Sequence, residues 1–129
     1  MNYEQTTGGE ALSIPHNGNL SNGLMWDTVT LDGDTINSDY AERRMRWEPI
    51  AEVTQLKGDS ETHPSLSPDD PFADFERWDE YNISNSAKTT PDMYPGSYAR
   101  SALQRGLSLE RSVGANPYAF GMIGSTDDH

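Results

Sequence analysis

Histidines and carboxylates stand in this chain at places where they could share a metal ion. An Asp-x-His pair, Asp127 and His129, falls on the last residues, and His16 follows Pro15 directly after an apolar run. Cysteine is absent, so any divalent ion would sit on imidazole and carboxylate, a donor set that suits zinc, manganese or iron. An ion held in this way activates a bound water for hydrolysis and neutralises an anionic substrate. A Pro-His step keeps the backbone extended and aims the imidazole out of a strand end. The ordinary alternative for His16 is a hydrogen-bonded loop residue.

Glu52 is the next candidate, because it interrupts Ile50-Ala51-Glu52-Val53, a run otherwise suited to burial. A buried, unpaired carboxylate is costly. Glu52 could therefore face a metal, orient a ligand histidine, or pair with Arg44 or Arg46. Lys57, Asp59, Glu61 and His63 crowd the segment that follows. Lys57 could meet an anionic substrate oxygen, and His63 could relay protons or bind metal. A solvated, charged loop explains the same residues.

Elements at matching places must position these groups. Three apolar runs, 11–14, 50–56 and 119–123, read as buried strands, and each leads into one of the polar segments above. The candidate groups then collect at strand C-termini, as they do at the mouth of a parallel α/β barrel. Asp39 is placed to cap a short helix that must stop before Pro49. Asp70 and Pro71 open a second, with Phe72, Phe75 and Trp78 on one packing face. The third helix, 97–113, carries Ala99, Ala102, Leu103, Leu107 and Val113 in a stripe broken by Gly106, and Gly114 ends it. A helix feeding a strand is the unit from which parallel sheets are built. Residues 82–96, with Pro91 and Pro95, read as a surface loop. Asp32-Gly33-Asp34 lacks the glycine and the ligand pattern of a calcium loop and reads as a turn. No P-loop, nucleophile elbow or zinc-protease helix is present.

Composition narrows the partners. Of 129 residues only 33% are hydrophobic, which is poor for a closed core and predicts that apolar surface docks on further elements. Asp and Glu outnumber Lys and Arg 21 to 9, and the resulting charge of -12 argues against nucleic acid or an anionic membrane as a partner. No apolar run approaches the length of a membrane span, and the polar start is not a signal peptide.

The same segments resemble a known family. Residues 14–25 (Ile14-Pro15-His16-Asn17-Gly18-Asn19-Leu20-Ser21-Asn22-Gly23-Leu24-Met25), Arg44-Met45-Arg46-Trp47-Glu48-Pro49, the stretch from Glu52 to Pro64, and Asn116-Pro117-Tyr118 through His129 look like the large family catalogued as domain of unknown function 3604. That family resembles the PHP (polymerase and histidinol phosphatase) superfamily of distorted β/α barrels with bound metal ions. The resemblance implies phosphoester hydrolysis by metal-activated water, with His16, Asp127 and His129 as metal ligands and Glu52 in a varying role. The superfamily's opening His-x-His motif is missing. A ligand pair at the very end of the chain has supporting residues on one side only. Together these predict an α/β chain, residues 1–129, that forms part of a single barrel domain and is inactive alone. The implied substrate is a small anionic ester. The competing expectation is a non-catalytic module that holds a sugar or another polar ligand with Trp26, Trp47, Trp78 and the Asn-rich segment 17–22.

Overall fold

The computed structural model describes residues 3–128. Helices α1 (Tyr3–Thr7), α2 (Ser38–Trp47) and α3 (Ala99–Val113) accompany strands β1 (Ile50–Gln55), β2 (Gly58–Asp59) and β3 (Gly121–Gly124). The strands make one open sheet in the order β2-β1-β3, with β1 antiparallel to β2 and parallel to β3. The content is thus mixed α/β. Because β1 and β3 run the same way, the chain must cross back between them, and α3 lies in that connection.

Local chemistry sets the boundaries. Asn37, rather than Asp39, caps α2: its Oδ1 accepts from the Tyr40 amide at 2.9 Å. The helix stops at Trp47 because the residue before Pro49 avoids helical backbone. Helix α3 ends on Gly114 in the left-handed region at φ 85°, with its amide bonded to the Glu110 carbonyl. The small face of α3, Ala99 and Ala102, packs with Trp26, Ala51, Tyr118 and Phe120 in the core. Trp26 and Phe120 stack with ring centroids 5.5 Å apart. Gly106 does not break this face. It is buried, and an added Cβ would run into Asn116 and Tyr118, so the absent side chain is what lets the turn lie close to the helix.

Several expectations are corrected. Residues 11–14 are not a strand, although Ser13 donates to the Trp47 carbonyl at 2.6 Å and the Glu52 amide donates to Pro15 at 2.9 Å. One bond reaches β1 and the other the end of α2, and Pro15 has no amide to extend a ladder. The helix expected at Asp70 is a series of turns. Asp70 Oδ1 accepts from the Phe72 amide in a local turn, a competitor of helix for short acidic side chains. Phe72, Phe75 and Trp78 consequently have no common packing face and are 82%, 56% and 53% exposed. The loop 82–96 is exposed in its first part, but Pro91–Gly96 coils into a 3-10 helix whose Gly96 carbonyl accepts from the Trp26 amide.

Candidate functional site

Strand β1 carries the first group. A register irregularity between Glu52 and Thr54 interrupts the pairing with β3. Strict alternation would put residues 52 and 55 on opposite faces, and an irregularity of this kind re-aims side chains. Glu52 and Gln55 are both buried, and Gln55 Nε2 donates to Glu52 Oε1 at 2.7 Å. Gln55 Oε1 in turn accepts from Lys57 Nζ at 3.0 Å, and Lys57 forms an ion pair with Asp127. Asp127 is delivered from the far side, where the Ser125 amide bonds to the Thr54 carbonyl and continues the line of β3 past its end. The result is one polar chain, Glu52–Gln55–Lys57–Asp127, at the C-terminal end of the parallel pair.

Glu52 therefore takes neither expected arginine. Arg44 donates to Glu48 at 2.8 Å and to the Met25 carbonyl at 2.6 Å, while Arg46 pairs with Glu4. His16 is exposed on the opposite flank of β1, and its Nδ1 lies 2.9 Å from the Ile14 carbonyl. That bond needs a proton on Nδ1 and leaves Nε2 as the donor atom for a metal. His129 lies outside the described residues. Among the described residues no group of three or more His, Asp or Glu side chains gathers in a geometry that could hold a metal ion.

The crowded segment after β1 separates into four environments. Lys57 turns to Asp127. Glu61 binds Arg100, whose guanidinium also reaches Asp70 at 2.6 Å. Burial raises the Asp59 carboxyl above its ordinary range, against the opposing bond from the Glu61 amide. His63 goes inward and is 5% exposed. Its ring stacks on Tyr94 at 3.9 Å, and Nδ1 accepts from the Ser65 amide at 3.1 Å with the Ser65 hydroxyl at 2.6 Å. Nε2 lies 3.0 Å from Asp79 Oδ2, near enough to pair but not aligned as a hydrogen bond. Burial lowers the His63 pKa first and the Arg77 charge second, outweighing Asp79. Arg77 Nε also reaches Asp79 Oδ2, at 3.2 Å. His63 thus belongs to a buried His–Asp–Arg cluster, apart from the bonds that join Lys57 to Asp127.

Sequence reasoning missed Gln55 and Asp79. Gln55 carried no signal, because the irregularity that turns it toward Glu52 leaves no mark in residue types. Asp79, two residues from Arg77, is signalled only as an ordinary charged pair. Of the residues of the competing ligand surface, Trp26 is fully buried, and Asn17 and Asn19 are 5% and 1% exposed. Asn19 is a structural hub, donating to the carbonyls of Lys57 and Trp78 and accepting from Ser60 at 2.7 Å.

These features define a mixed α/β protein with polar residues collected at the end of a parallel strand pair. Residues 1–129 match the family described as "Protein of unknown function (DUF3604)", and the chain belongs to that family. No curated protein and no solved structure matches it.

Proposed function

We propose that the chain is part of a metal-dependent hydrolase of small anionic esters, phosphoesters above all, with its site at the C-terminal end of β1 and β3. The observation that carries this reading is the Glu52–Gln55–Lys57–Asp127 chain, which joins the ends of two parallel strands. Active residues of β/α barrels come from such strand ends. The three-stranded sheet would be one sector of a PHP-like β/α barrel. In support, β3 is exposed along its whole length, with Met122 at 50% and Ile123 at 40%. Parallel strands are ordinarily covered on both faces, so further elements would shield it.

The described residues do not by themselves make a metal cage, since His16 and Asp127 lie on opposite flanks of β1. Further donors would be required, and no step is assigned to the ion. What the chain's own residues do is clearer. Lys57, now neutralised by Asp127, can exchange that partner for an ester oxygen. Gln55 holds the ammonium and Glu52 in a fixed relation, and Glu52 keeps one carboxylate oxygen available to orient a ligand or take a proton. A metal beside Asp127 would also offset the acidic surface that otherwise repels an anion.

Calorimetric titration with inorganic phosphate, with and without Mn²⁺ or Zn²⁺, tests the reading. Metal should strengthen phosphate binding, and Asp127→Ala should weaken that enhancement by about tenfold or more. Lys57→Met should weaken phosphate binding while metal affinity persists. Phosphate affinity indifferent to metal and to both substitutions would overturn it.

A further inference from the structure

Trp78, at the end of the segment that fails to form a helix, stands open beside Tyr81. Trp78 and Tyr81, 53% and 42% exposed, border a cleft of about 460 Å³ lined by Arg77, Trp78, Asp79, Glu80, Tyr81 and Asn85. Single surface aromatics need no explanation, but two on one polar cleft do. The frame that holds them is fixed. Asn19 Nδ2 donates to the Trp78 carbonyl at 2.7 Å, and Gly58, at φ +101°, lies so close that a Cβ there would come 2.7 Å from Trp78 Cβ. On the other side the Thr89 amide bonds to the Glu80 carbonyl, the Asn82 amide bonds to Ala87, and Tyr81 bridges to Lys88. Tyr81 stands on a braced hairpin, and Trp78 on the anchored segment that leads into it.

Asp79 differs from the rest of the lining because it is 7% exposed. His63 Nε2 lies against its carboxylate at 3.0 Å, and the Asp79 charge also acts on the buried Tyr98 phenol. Both His63 Nε2 and the Tyr98 hydroxyl are buried without a hydrogen-bond partner. Neither atom lines the cleft; what the cleft receives is the edge of the Asp79 carboxylate, held in place from behind by His63 and Arg77.

Charge decides what kind of ligand fits. Arg77 is already committed to Asp74 and Asp79, and Glu80 adds a further negative charge, so an anion is disfavoured. A hydrated metal ion would leave both rings unused, and a quaternary ammonium, which could sit on a ring face, would leave the Asn85 amide unused. An uncharged ring with hydroxyls at its edge uses everything present: its C–H face stacks on tryptophan, its hydroxyls donate to carboxylates, and an amide serves as donor or acceptor. We propose that this cleft binds the ring of a neutral sugar. Trp78 is the stacking platform, Tyr81 is the opposite wall, and Asp79, Glu80 and Asn85 take the hydroxyls. None of Glu52, Gln55, Lys57 or Asp127 takes part, so this site stands or falls apart from the hydrolase reading.

Calorimetry with glucose, galactose, xylose and cellobiose, supported by tryptophan fluorescence, tests it. At least one sugar should bind saturably in the millimolar range. Trp78→Ala should lower that affinity about tenfold or more. Glu80→Gln should weaken it several-fold, Trp47→Phe should leave it unchanged, and far-UV circular dichroism of each variant should match the parent. Absence of saturable binding by all four sugars, or equal affinity in the folded Trp78→Ala and Glu80→Gln variants, would overturn the proposal.

Discussion

Gln55 is the residue on which the strand-end group depends, because its amide donates to Glu52 and its carbonyl oxygen accepts from Lys57. Gln55→Leu keeps the volume and removes both bonds, leaving Glu52 buried without its donor. The expected loss is about 1–3 kcal/mol in urea denaturation, since an unsatisfied buried acceptor bears its desolvation cost. An unchanged midpoint would mean that solvent already serves Glu52. His63 gives a prediction of a different kind. Its folded pKa lies below the ordinary 6.5, because burial and Arg77 oppose the proton. Between the two values the unfolded chain binds more protons, so stability rises with pH there. The contribution is present above 6.5 and is lost as pH falls toward the folded value. Denaturation midpoints at pH 7.5 and 5.5 should differ more in the parent than in His63→Phe, which keeps the stack on Tyr94. Equal differences in both proteins would contradict this account.

Helix α3 offers a contest between propensity and packing. Gly106→Ala should gain up to about 1 kcal/mol of helix propensity. Its Cβ, however, would enter the space of Asn116, whose Oδ1 accepts from the Tyr118 amide and holds the turn into β3. Overpacking costs about 1–3 kcal/mol, so net destabilisation is expected in thermal melts. A raised Tm would show that the turn yields. The glycine's place on the helix was legible in the sequence, and its reason was not, because close approach of a distant turn is a tertiary fact. Likewise β1, β3 and α3 were visible from apolar runs and a terminal glycine, to within two residues. The helix expected at Asp70 was not there: its aromatic spacing was real, but a local side-chain bond at Phe72 won the backbone. At the strand end, Glu52, Lys57 and Asp127 were each legible as chemistry-bearing residues. Their linkage through Gln55 depends on an irregularity in the ladder that residue types do not record, and His63 was drawn away by a cluster of residues more than ten positions downstream.

Across the whole molecule, a low apolar content yields a small core centred on Trp26 and the alanines of α3. Trp26→Ala should therefore cost about 3–5 kcal/mol, a large share of the stability of a chain this size. Trp78→Ala, at an exposed position, should stay within about 0.5 kcal/mol. Near-equal losses in chemical denaturation would show that the core is elsewhere. The open sheet, with an exposed β3 beside the strand-end polar chain, places the proposed chemistry at the rim of an architecture that further strands could extend. The central claim is that this rim, rather than the His63 cluster, receives the anionic substrate. A crystal structure of the protein soaked in phosphate and Mn²⁺ tests it most directly. Phosphate on Lys57 Nζ, with Asp127 released from the lysine and turned to the ion, is the predicted result. An intact Lys57–Asp127 pair, with phosphate bound elsewhere, would contradict it.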